Sequence, residues 1–305
     1  MYSEINSANE PAVSTPTTPE PIIPWGWVRA LLAVPVWILF QFIILVPTMR
    51  FLGIGWETSQ GDLLVQPGGL VVQASSLVST LLTVWVMRRW IDRGSLLSLG
   101  LHLNRSYLRD LAAGVLCGIT LISAIFLAIL GYGGLTVISL QTPSVSFLML
   151  TVAMILVAVN EELLVRGYLL GNLMTSTNKY VALLLSSLIF SIFHLLNPNS
   201  SSIGLINIVL AGMLLGIYYI HERNLWFPIG LHFSWNLFQG GVYGSQVSGV
   251  KVASVVTIDA TGDPLLTGGS FGFEASLVTT VILAAAILVV HLIYRPKAEP
   301  GAPSV

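Results

Sequence analysis

Eight apolar runs, at about residues 27–48, 69–88, 110–132, 147–173, 179–196, 203–220, 225–243 and 275–294, constrain this chain to fold in a bilayer. Lipid leaves no partner for an unpaired backbone group, so only helices and closed barrels can span it. Runs of this length select the helix. Hydrophobic residues make up 54% of the 305, and charged residues only 9%, against about 25% charged in an ordinary soluble domain. The expected fold class is all-α, a polytopic transmembrane helical bundle of about eight spans.

The first 24 residues, rich in Pro, Ser, Thr and Glu, read as a disordered tail. They lack the basic segment and cleavage site of a signal peptide. Residues 25–295 then form the transmembrane domain, and 296–305 a C-terminal tail. Arg88, Arg89, Arg93, Arg105 and Arg109 crowd the connection between the second and third runs, whereas 133–146 and 197–202 hold no Lys or Arg. Because short cytoplasmic loops accumulate positive charge, that asymmetry puts the basic connection, Lys179, Arg223 and both termini in the cytoplasm, with Arg50 and Lys251 as exceptions. The polar stretch 244–274 is then external and reads as a mobile loop or a partly re-entrant cap. The net charge of −1 says nothing about partners, and there is no basic run suited to nucleic acid, which is not expected as a partner. Cys117, the single cysteine, lies in an apolar run, has no partner for an internal disulfide and reads as core.

Polar residues inside the runs fall into three groups. Glu161 and Glu162 sit in the middle of the fourth run, followed by Arg166. Acids at membrane depth are costly unless paired or facing a polar cavity, which makes them functional candidates by default. Glu162 and Arg166 are four apart and can pair on one helix face, while Glu161, about 100° around, is left to face another helix. One acid is then structural and the other free for chemistry. Phe190 and His194 lie at the far end of the next run. A turn near 175–178 joins the two runs as a helical hairpin. Glu161 and His194 are about 15 and about 17 residues from that turn, hence at similar depth. His232 and Asn236, four apart on the seventh run, share a face. Taken singly, each group has an ordinary structural reading, since intramembrane His, Asn and Glu–Arg pairs commonly join helices.

Together, the ordered set EExxxR, FxxxH and HxxxN on successive apolar segments resembles the family of intramembrane CAAX-type proteases and bacteriocin-processing enzymes, the CPBP or type II CAAX protease family. The resemblance covers about 105–243, the expected catalytic core, and includes a Gly212-xxx-Gly216 pair suited to close helix approach. It implies peptide-bond hydrolysis in or at the edge of the bilayer. In that reading Glu161 and His194 hold and activate a water, His232 and Asn236 stabilise the oxyanion, and Glu162 with Arg166 supports the helix and tunes the field. Phe190 packs against the His194 ring or walls the site. The implied substrate is a hydrophobic or prenylated peptide or protein presented from membrane lipid.

A metal route stays open. Glu161, His194 and His232 are three ligands of the type a catalytic zinc uses, although the sequence has no HExxH. A non-catalytic role in bacteriocin immunity or partner binding is the alternative function. A proton-coupled transporter would need internal repeats, and none is found. The expected location is a bacterial cytoplasmic membrane.

Overall fold

A computed structural model describes residues 20–103 and 105–295. Most of the tails predicted over 1–24 and 296–305 therefore lies outside the described residues. Among the described residues six helices are long and apolar enough to cross a membrane: α1 (Gly26–Phe51), α3 (Pro67–Asp92), α4 (Tyr107–Gly131), α5 (Val145–Leu173), α7 (Ser202–Glu222) and α10 (Leu277–Tyr294). The other two predicted runs are also helical but shorter. They are α6 (Lys179–Phe193) and α8 (Trp226–Asn236), which continues as a π-helix over Leu237–Val242. A short α2 (Gln60–Leu64) precedes α3, and α9 (Pro264–Thr267) precedes α10. The bundle is apolar outside as well as inside, with Phe42, Leu116, Leu127 and Val281 all more than half exposed, as lipid-facing helices require.

With little hydrophobic force between helices in lipid, close approach and hydrogen bonds decide which pairs meet. Gly114 and Gly118 of α4 lie directly against the backbone of α8 at Phe227 and Leu231, and Gly230 of α8 against that of α4 at Leu111, leaving no room for a Cβ at any of the three. This crossing carries His232 and Asn236 into the bundle. On the opposite side Gly212 of α7 lets Ser187 of α6 approach. A polar seam joins α1 to α3, with Trp37 Nε1 donating to Thr80 Oγ1 (2.9 Å) and Gln41 Nε2 to Ser76 Oγ (3.0 Å). Asn160 Nδ2 reaches the same Ser76 Oγ (3.3 Å), tying in α5 beside the acid pair.

Contacts sort the connections into two ends. At one end Arg29 pairs with Asp92 (3.0 Å), Arg88 with the same carboxylate (3.2 Å), and Arg29 Nη2 donates to Thr175 Oγ1 (2.9 Å). Asn224 Nδ2 donates there to Asp110 Oδ2 (2.8 Å). At the other end β1 (Thr136–Leu140) pairs antiparallel with β2 (Val256–Asp259), with an irregular register between Val137 and Ser139. The two connections predicted to be external are thus joined to each other.

The stretch 244–274 is a folded cap rather than a free loop. Phe271 and Phe273 are buried at 1% exposure each. Between them Gly272 (φ +97°) packs on the Gln246 carbonyl, a conformation and a space that only glycine satisfies. Asn207 Nδ2 of α7 donates to the backbone carbonyls of Glu274 (2.7 Å) and Ser276 (2.9 Å). The polar composition concealed this, because two buried aromatics are enough to anchor a segment whose remaining polar groups bond to backbone.

Candidate active site

Glu161 and Glu162 end the regular part of α5. From Leu163 to Leu170 the helix widens to π geometry, with every residue of that segment buried. Such interruptions recur at functional sites, because they redirect side chains that an α-helix would place elsewhere. Three further π segments occur among the described residues, at Gln41–Leu45, at Met87–Asp92 and, directly after Asn236, at Leu237–Val242.

Arg166 and Glu162 form the predicted pair, Nη1 donating to Oε1 at 2.8 Å, with both side chains essentially inaccessible to solvent. Arg166 Nη2 also reaches the Gly212 carbonyl (3.4 Å), and the guanidinium stacks 4.2 Å from the centre of the Phe190 ring. Gly212 therefore has two uses, admitting α6 and offering its carbonyl to the buried arginine. The same Glu162 oxygen accepts a second hydrogen bond, from His232 Nδ1 at 2.8 Å. A carboxylate only accepts, so Nδ1 carries the proton and the ring orientation is fixed. His232 Nε2 then lies 3.8 Å from Glu161 Oε2.

His194 is set by its own helix end. Its Nδ1 donates to the Phe190 carbonyl (2.8 Å), leaving Nε2 available, and its ring meets Phe190 edge to face at 4.6 Å. Phe190 also meets His232 edge to face at 6.2 Å. It thus separates the two imidazoles while holding Arg166 behind them.

One cavity of about 430 Å³ is lined by Glu161, Phe190, His194, His232 and Asn236 together. Glu162 and Arg166 sit behind its wall. Glu161 is part-exposed to the cavity, and its Oε2 has no hydrogen-bond partner among the described residues. Asn236 has no side-chain hydrogen bond there either, so its amide is free to meet a ligand. The remaining walls are largely aliphatic and aromatic, including Met154, Leu164, Leu214 and Leu231.

Sequence reasoning missed three features. The Glu162–His232 bond links positions 70 apart, beyond any helical periodicity. Asn160, next to Glu161, also lines the cavity, and its place as a polar residue in an apolar run was a readable signal. Glu274 and Ser248 enter from the cap. An acid between Phe273 and Ala275, just before the last apolar run, was the cue there.

Among the described residues no three His, Cys, Asp or Glu side chains are disposed to hold one metal ion. Glu161, His194 and His232 are not disposed as a three-ligand site as they stand; Nδ1 of each histidine is held in a hydrogen bond and each Nε2 is left open.

The fold and this cavity define an integral membrane protein with acid, imidazole and amide groups converging inside its helical bundle. Residues 143–238 match the family described as type II CAAX prenyl endopeptidase, Rce1-like. That segment runs from the start of α5 to just past Asn236 and contains all three motifs, so it is similar to a family of membrane proteases. A comparison with curated proteins finds no match.

Proposed function

We propose that the chain is an intramembrane endopeptidase of the CAAX-protease type, hydrolysing a peptide bond in a hydrophobic or lipid-modified peptide with a water activated by Glu161 and His194. The observation that carries this reading is the shared cavity. An unpartnered carboxylate, an imidazole with a free Nε2, a second imidazole and a free amide all face it.

Glu161 takes one proton from the water as its oxygen bonds to the scissile carbonyl carbon, while His194 Nε2 accepts the other hydrogen of that water. Negative charge moves to the carbonyl oxygen. Asn236 and the His232 Nε2–H donate to it; in this role His232 carries protons on both nitrogens, and with Arg166 balances the charges of Glu161 and Glu162. When the C–N bond breaks, Glu161 returns its proton to the leaving amine. The second water hydrogen moves to His194 Nε2 as the product carboxylate forms. Glu162 works through His232 and Arg166, fixing one donor and closing the charge balance behind the wall.

Apolar walls support a hydrophobic or prenylated substrate entering from lipid. Concentration of Arg88, Arg89, Arg93, Arg109 and Arg223 at the end opposite the β1–β2 pair supports cytoplasmic termini. Purified protein in lipid, given a mixture of prenylated and unprenylated hydrophobic peptides with and without a chelator, tests the reading by mass spectrometry. Chelator-resistant products are expected, and their ends define the substrate class. No product from any peptide would favour the non-catalytic immunity or binding role, and chelator-sensitive cleavage would restore the metal route.

Asn236→Ala is expected to lower kcat roughly tenfold to a thousandfold with the protein still folded, the scale of a lost oxyanion donor. An unchanged kcat would make Asn236 an interhelical residue only.

A further inference from the structure

The mechanism above leaves one buried acid of the cavity unused. Glu274, on the cap outside the spanning helices, is 7% exposed and lines the same cavity as Glu161 and His194. Ser248 holds it twice, its backbone N–H and its Oγ (2.9 Å) both donating to Glu274 Oε2. The supporting backbone is fixed as well. Asn207 Nδ2 donates to the Glu274 carbonyl at 2.7 Å, and Thr279 Oγ1 to the Phe273 carbonyl at 2.6 Å.

This clamp does not require a charge. A glutamine carbonyl would accept the same two hydrogen bonds from Ser248 without the cost of burying a carboxylate. Burial indeed pushes the Glu274 carboxyl above the ordinary glutamate value, and the rise is opposed by the bonds from Ser248, the charge of His194 and Gln239. His194 is the ionisable group whose charge acts on it. The ionisable groups that share the cavity with His194 are Glu161 on α5, His232 on α8 and Glu274 on the cap, and Arg166 lies behind Phe190, whose ring meets that of His194. Of the two cavity acids, Glu161 lies 3.8 Å from His232 Nε2 and is the base of the proposed hydrolysis.

We propose that Glu274 is a positioning residue of the hydrolytic site, its carboxylate set by Ser248 to balance the positive charge that His194 carries once the second water hydrogen has moved onto Nε2. This inference rests on the protease reading. The proton concerned is the one released as the product carboxylate forms; Glu274 itself neither gains nor loses one. Without the carboxylate the imidazolium forms in a cavity whose nearest cations are His232 and Arg166, so the step it accompanies slows.

The test is steady-state kinetics of the full chain in lipid on a peptide the parent cleaves, comparing Glu274→Gln, Glu274→Asp, Ser248→Ala and Glu161→Gln. Glu274→Gln is expected to lower kcat about ten- to hundredfold while KM changes less than about threefold. Glu274→Asp, which keeps the charge, should recover part of that loss. A parent-like kcat for Glu274→Gln, a loss confined to KM, or an aspartate variant as slow as the glutamine one would overturn the inference while the parent's cleavage leaves the protease reading standing. Should Glu274→Gln give no folded protein, Ser248→Ala carries the test. It removes one of the two bonds to the carboxylate and is expected to lower kcat several-fold, and a parent-like kcat would again overturn the inference. A parent that cleaves nothing removes the protease reading and this inference together.

Discussion

Replacing Arg166 with alanine is expected to remove most of the folded protein from the membrane. Arg166 and Glu162 are 1% and 0% exposed and bonded at 2.8 Å, and deleting one partner of a buried pair costs about 3–5 kcal/mol. Against a total stability of about 5–15 kcal/mol for an ordinary domain, that is a large share. Two further contacts go with it. The Gly212 carbonyl loses its side-chain donor, and Phe190 loses the guanidinium stacked on its ring. Glu162 keeps only the His232 bond, so the damage extends to the orientation of a cavity histidine. Arg166→Lys retains a charge but not the planar fork that reaches both Glu162 and Gly212, and should fall between parent and alanine. Yield of monodisperse protein and its thermal melting measure this. An alanine variant that accumulates and melts like the parent would contradict the assigned role of the pair.

Much of the site was readable because membrane proteins place polar groups sparingly. Glu161, Glu162, Arg166, His194, His232 and Asn236 stood out against apolar runs, and two short-range rules, i to i+4 spacing and hairpin depth, brought most of them toward one place. The shared cavity agrees with that placement. Those rules do not see that Glu162 serves two donors at once, because His232 arrives from a helix 70 residues away. Nor do they see the π segments, which start directly after Glu162 and after Asn236. The cap stayed open between two readings for a different reason. Its Gly, Ser and Thr content signals a loop, but Phe271, Phe273 and the Asn207 contacts bury it over the cavity, and with it come Ser248 and Glu274. Gly212-xxx-Gly216 identified one close helix contact, whereas the tighter crossing of α4 and α8 through Gly114, Gly118 and Gly230 becomes apparent only once the two helices are placed together.

Glu161→Gln is expected to abolish detectable cleavage, a loss of at least about 10²–10⁴-fold, the contribution of a positioned general base. The substitution keeps the shape of the side chain and removes its basicity. Glu161 Oε2 has no hydrogen-bond partner among the described residues, and the acid that supports the fold is Glu162. Folding should therefore be little affected, in contrast to Arg166→Ala. His232, 3.8 Å away at Nε2, keeps its anchoring bond to Glu162, so the oxyanion side of the cavity remains assembled. The measurement that tests the account most directly is a mass-spectrometric time course of peptide cleavage in lipid, with parent and Glu161→Gln purified side by side and matched for thermal melting. The account predicts products from the parent and none from the variant; equal cleavage by both would remove Glu161 from the chemistry and contradict the mechanism.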